Sequence, residues 1–135
     1  MAQEHDSKRN FATSCLRLRS DVSIEPLAMD DSFWSRIMSG ELGSFHNEYL
    51  VTVHQQRENW TSWEMHPNGD ELVCLLDGHV RFVLEHDGGT KRIELRDGGD
   101  FIVVPKGTWH TADVAAPSRM LFITAGEDTR HRERS

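Results

Sequence analysis

Cysteine is scarce in this sequence: Cys15 and Cys74 are the only two in 135 residues, too few for the disulfide framework of a small secreted domain. Cys74 lies inside the apolar run LVCLL, where a free thiol behaves as a small hydrophobe, so a reducing, cytoplasmic setting is expected. Long apolar runs are missing as well. None approaches the roughly 18 residues that a membrane-spanning helix requires, and the polar start MAQEHDSKRN has no signal-peptide core. The expectation is a soluble, unexported protein with no membrane partner. Positive charge is in deficit, with 15 Lys and Arg against 22 Asp and Glu for a formal charge of -7. That balance argues against nucleic acid, whose phosphates would be repelled. No fixed-period repeat is visible, which excludes a solenoid.

What is present suits a single domain large enough to bury a core unaided. Residues 1–21 and 128–135 are polar and weakly patterned and are expected to be loosely ordered, leaving 22–127 as the domain. In DDSFWSRIMSGELG, Phe33, Trp34, Ile37 and Met38 share one helical face, Asp30 or Asp31 offers a cap and Gly40 a stop, so one short helix is expected. From Tyr49 onward the pattern changes to short apolar or alternating runs: YLVTVHQQ, WTSWEMH, ELVCLLDG, HVRFVLEH, TKRIELR, DFIVVP, GTWHTADV and SRMLFITA. Turn sequences separate them, including PNGD (67–70), DG (77–78), DGG (87–89), DGGD (97–100) and PKG (105–107). The fold class is therefore all-β, a sandwich or barrel.

Four polar residues stand out within these runs. Glu64 and His66 are two apart and point to the same face of an extended strand. Glu71 follows across PNGD, where a hairpin would fold it back toward them, and His110 follows the turn at Pro105 and Gly107. Two imidazoles and two carboxylates can hold a divalent first-row metal. Taken singly, each reads as an ordinary surface group. Together, flanked by Trp63, Met65 and the apolar run after Glu71, they place charge beside a buried wall, where a cation would compensate it. The other histidines, His5, His46, His54, His79, His86 and His131, have no such context and read as solvated or structural. Alternation from Glu71 turns Val73 and Leu75 inward, with Phe122 and Thr124 opposite. Trp60, Trp63 and Trp109 read as packing, Arg57, Arg81 and Arg119 as exposed strand residues, and Tyr49 as structural, with a proton-donor role as its alternative.

These residues resemble the two motifs of the cupin superfamily, G(X)5HXH(X)3,4E(X)6G and G(X)5PXG(X)2H(X)3N. The second is matched by Gly99, Pro105, Gly107 and His110, with Val114 in place of the final asparagine. In the first, His66, Glu71 and Gly78 fit, while Glu58 replaces the leading glycine and Glu64 the first histidine. The resemblance implies a small single-domain jelly-roll β-barrel (a double-stranded β-helix) with a metal inside, held by His66, Glu71 and His110, with Glu64 in a histidine's place. Two carboxylates would neutralise a divalent ion and weaken its Lewis acidity, which favours manganese, iron or nickel and admits zinc. The expected partner is a small molecule, dioxygenase-type chemistry leads, and pairing through sheets as a homodimer is implied. A non-enzymatic binding module is the first alternative; the second is a metal-independent, isomerase-type protein with Glu64 as acid or base.

Overall fold

The computed structural model describes residues 7–135, so His5 lies outside the described residues. The elements run β1 (Ser14–Leu18), β2 (Ile24–Ala28), α1 (Phe33–Met38), β3 (Tyr49–Gln56), β4 (Ser62–Met65), β5 (Glu71–His86), β6 (Gly89–Leu95), β7 (Phe101–Val104), β8 (His110–Thr124) and β9 (Arg130–Glu133). The two long strands organise the rest. β5 pairs antiparallel with β8 along almost its whole length, from Glu71↔Thr124 to Leu84↔His110. β7 lies against the first part of β5 and β6 against the second, while the path β2-β1-β3-β8-β4-β9 continues from the other side of β8. The result is the expected all-β jelly roll with one short helix.

Two expected strand breaks are absent. ELVCLLDG and HVRFVLEH form the single strand β5, and GTWHTADV joins SRMLFITA through Ala115, Ala116 and Pro117 as β8. The DG pair at 77–78 is a bulge, not a hairpin turn, and the β5–β8 register shifts there. Its effect shows in the burial pattern: Glu71, Val73 and Leu75 face inward before it, and Val80, Phe82 and Leu84 after it. Odd positions give way to even ones, and the bulge keeps one face of β5 in the core across that change. Gly78 has φ +110°, and a Cβ there would lie 2.2 Å from Ser118 Oγ. Ser118 Oγ instead accepts the His79 N–H at 2.9 Å, beside Pro117, which has no N–H to donate.

The core lies between the two halves of this sheet. Val73, Leu75, Val80, Phe82, Leu84, Leu95, Val104, Ala112, Met120 and Phe122 form one cluster, with Trp60 packed against it. Each of the larger side chains contributes about 1.5–3 kcal/mol by leaving water.

Within the described residues, both end segments contain a strand where loose order was expected. β1 falls within residues 1–21, pairs with β2 and β3, and buries Cys15 completely. Arg17 holds it down: the guanidinium is 2.6 Å from the buried Glu48 carboxylate, donates to the Leu42 carbonyl and lies over the Phe45 ring. β9 falls within 128–135 and pairs with β4. β9 carries no hydrophobic signature, because pairing and ion pairs fix it instead of apolar burial, whereas β1 combines the buried Cys15 with the Arg17 ion pair. In α1, Phe33 is buried while Met38 stays 82% exposed, so the expected apolar face is covered only in part. The Asp30 carboxylate accepts from the Ser32 N–H and hydroxyl just before the helix. Among the described residues no helix is long and apolar enough to cross a membrane.

Candidate metal centre

Two turns bring the motifs together. PNGD reverses the chain between β4 and β5, and PKG precedes β8. The Lys106 N–H donates to Asp70 Oδ1 at 2.9 Å, and the Gly107 N–H donates to the His66 carbonyl at 2.9 Å. Gly107 makes that bond at φ +78°, a conformation that side chains disfavour. These bonds lock one turn onto the other and set His66 beside His110. Register completes the arrangement. Glu64 on β4 stands opposite His110 of β8 on one side and opposite His131 of β9 on the other.

Of the four expected site residues, Glu64, His66 and His110 cluster, and Glu71 lies beside both histidines. His110, Glu71 and His66 are 0%, 3% and 4% exposed, whereas the Glu64 side chain retains 30% of its exposure. One ligand atom each from Glu64, His66 and His110 lies within 4.8 Å of the others. Glu71 joins them, with Oε1 3.0 Å from His110 Nε2 and Oε2 3.4 Å from His66 Nε2. The imidazole centroids are 5.4 Å apart.

Hydrogen bonds outside the cluster decide what the histidines present to it. His110 Nδ1 is 3.1 Å from the Thr108 carbonyl, which can only accept, so Nδ1 carries the proton. His66 Nδ1 is 2.8 Å from Thr129 Oγ1, whose own hydrogen is donated to the Gly126 carbonyl. His66 is therefore a donor at Nδ1 as well. In both neutral rings the Nε2 lone pair then faces inward. The Thr124 hydroxyl donates to Glu71 Oε2 at 2.6 Å, leaving Oε1 to the centre. His66 Nε2, His110 Nε2 and Glu71 Oε1 are all buried and make no hydrogen bond of good geometry. Buried lone pairs aimed at a buried carboxylate oxygen repel unless a proton or a cation lies among them. The donor set suits a divalent cation, and outward Nδ1–H bonds are the usual support of metal-binding imidazoles.

A proton is the other means of compensation. Burial pushes the Glu71 carboxyl up, but His110 and His66 outweigh it and hold the pKa at about 2. Burial pushes His110 down, and its contact with Glu71 outweighs that, so its pKa is raised. A proton on His110 therefore compensates the Glu71 carboxylate within the cluster.

Aromatic rings pack along one side. Trp60 lies 6.1 Å from His110 and edge-on to Phe82, with its indole N–H donating to Gln56 Oε1. His54 sits between Trp34 and Phe122, and burial lowers its pKa against the opposing pull of Glu64. Tyr49 is elsewhere, in a surface cleft of ≈ 230 Å³ with Phe45, Asn68 and Glu127. Arg81 and Arg119 are exposed and paired with Glu94 and Asp77. Trp63 and Trp109 pack against the Arg132 guanidinium.

Two contributors were not read from the sequence. Thr129 and His131 alternate along the C-terminal segment and so share a face, but nothing in their spacing ties them to His66 or Glu64. His131 Nε2 is 3.3 Å from Glu64 Oε1.

An acireductone dioxygenase of Rhodopseudomonas palustris is 33% identical over 87 residues, covering 58% of this chain and 51% of its own. The chain therefore spans about half the length of that curated relative. Among solved structures, a cupin-2 domain containing protein of Shewanella frigidimarina aligns with a TM-score of 0.49 at 20% identity, covering 56% of this chain and 69% of that one. The hydroquinone 1,2-dioxygenase of a Sphingomonas species, solved with 4-hydroxybenzoate bound, gives 0.47 at 21% identity, covering 58% and 61%. The family model of the EutQ-like cupin domain matches residues 46–120, over half of the chain and inclusive of all four clustered residues. By that match the chain belongs to the EutQ-like cupin domain family.

Proposed function

We propose that the protein binds a divalent first-row metal through Glu64, His66, Glu71 and His110 and acts there on a small molecule, with dioxygenase-type chemistry as the leading class. The observation that carries this reading is the inward direction of both Nε2 lone pairs toward Glu71 Oε1, with no hydrogen bond to satisfy them. Manganese, iron, nickel and zinc all suit two imidazoles and two carboxylates. Once bound, such an ion supplies Lewis acidity and, for iron, access to dioxygen chemistry. The residues do the rest. Thr108, Thr124 and Thr129 hold the donors in place, while Trp60 and Phe122 keep one side of the centre apolar.

The relative named as a dioxygenase supports oxygen chemistry for this chain. Elemental analysis of the purified protein tests the metal. Oxygen uptake by iron-loaded protein, over a panel of small diketones, phenols and thiols, tests turnover. Stoichiometric metal with uptake on one class supports the proposal; metal without turnover on any leaves a binding module, and no affinity for any of the four metals refutes the centre. The reading includes a cytoplasmic setting, supported by the two free thiols. It also includes a homodimer, supported by Phe101 and Val103, 59% and 49% exposed on β7, which among the described residues pairs on one side only.

A further inference from the structure

We propose that the C-terminal segment Thr129–Arg134 is a positioning strap of the metal centre, in which Thr129 fixes the ring of His66 and His131 holds the carboxylate of Glu64. The inference rests on the metal-binding reading above and goes beyond it, since the strap lies outside both motifs that supply the ligands and outside the matched residues 46–120.

The strap is built for this contact more than for burial. Every residue of β9 is exposed, and among the described residues the strand pairs with β4 alone, so it adds little to the core. Its register against β4 nonetheless sets His131 directly across from Glu64. There His131 Nε2 approaches Oε1 at 3.3 Å, while Oε2 is directed toward His66 Nε2, 3.9 Å away. One oxygen is held so that the other faces the centre. Two positions earlier, Thr129 accepts the His66 Nδ1–H at 2.8 Å and is itself pinned by donating to Gly126. That chain of bonds fixes both the tautomer and the tilt of the ring.

Beyond His131 the strap is anchored at two points. Arg132 stacks on Trp63 and Trp109 and pairs with Glu85. Arg134 donates to the carbonyls of Trp60 and Ala112 and pairs with Asp113 at 2.8 Å. These bonds tie an otherwise solvated strand to the segments that carry Glu64 and His110. An edge strand held mostly by polar contacts is also the kind of element that opens locally. Coupling is reciprocal: if the docked strap tightens metal binding by some factor, the metal must favour the docked strap by the same factor.

The test uses the full chain with two probes. Co(II) is titrated into wild type, Thr129→Val, Thr129→Ser, His131→Ala and His131→Gln, reading affinity and the visible absorption band. Zn(II) is used for amide hydrogen exchange of residues 129–134. Thr129→Val and His131→Ala should each weaken Co(II) binding by about 10- to 100-fold and shift the band. Thr129→Ser and His131→Gln, which keep an acceptor and a donor in place, should recover most of the affinity. Zn(II) should slow exchange across the strap in wild type. Wild-type affinity and an unchanged band in both Thr129→Val and His131→Ala would overturn the inference and leave the metal centre standing. Weakening that tracks a lower melting temperature of the metal-free variants, without rescue by the conservative changes, would also overturn it by making the role merely structural. Absence of Co(II) binding by wild type would instead remove the metal-binding reading, and the strap's role with it.

Discussion

The Thr124 hydroxyl donates to Glu71 Oε2 at 2.6 Å, directly across the β5–β8 pair, and this bond turns Glu71 Oε1 toward His110. Sheet register therefore sets the orientation of a buried carboxylate. Thr124→Val keeps the shape and removes the donor. Metal affinity is expected to fall about 10- to 100-fold, measured by Co(II) titration; unchanged affinity would show that Glu71 needs no such support.

His110 and Glu64 should differ as ligands. His110→Ala removes a fully buried donor and leaves buried Glu71 with only His66 and Thr124 as partners, so metal binding should be lost and the metal-free protein destabilised by up to about 3–5 kcal/mol. Glu64 is 30% exposed and farther from its neighbours, so Glu64→Ala should lose less of both. Metal content and urea denaturation compare the two variants. Equal losses of affinity would make Glu64 a full ligand.

The metal-free protein should have a stability maximum near pH 6.5. Glu71 has a folded pKa of about 2 against an ordinary 4.5, so its contribution is present above 4.5 and fades as the pH falls toward 2. The raised pKa of His110 makes its contribution full below 6.5 and lost as pH rises through the folded value. His54 acts in the opposite sense, its lowered pKa removing stability as the pH drops below 6.5. Melting temperatures in chelator should peak accordingly; a flat profile from 6.5 up to 9.0, where the Cys15 thiol would ionise in the unfolded chain, would contradict the His110 assignment. Metal affinity should rise with pH across the same range, because binding displaces the His110 proton.

Gly78→Ala should be costly. Its φ of +110° disfavours any side chain, and the new Cβ would meet Ser118 at 2.2 Å. A loss above about 1–3 kcal/mol is expected in urea denaturation. A smaller loss would mean that the bulge relaxes easily.

The exposed edge of β7 predicts self-association. Light scattering should give a dimer mass for wild type and a monomer mass for Phe101→Glu with Val103→Lys. A monomeric wild type at working concentration would refute the homodimer.

The sequence by itself determined the fold class, the helix over Phe33–Met38 and the four residues that meet in the barrel. Those features are written in local patterns: alternation, turn residues, and polar groups at fixed spacing within apolar runs. Tertiary structure decided the rest. The continuity of β5 depends on Gly78 meeting Ser118, a contact 40 residues apart that reads locally as a turn. β1 and β9 are strands because of their partners: β1 lies between β2 and β3, and β9 is an exposed strand held on β4 by backbone bonds and ion pairs, which needs no hydrophobic alternation. The tautomers of His66 and His110 follow from Thr129 and Thr108, and the contact of Glu64 with His131 follows from the pairing of β4 with β9. Residue spacing along one segment carries no information about which distant side chain completes a hydrogen bond, so those choices became visible only once register had brought the segments together.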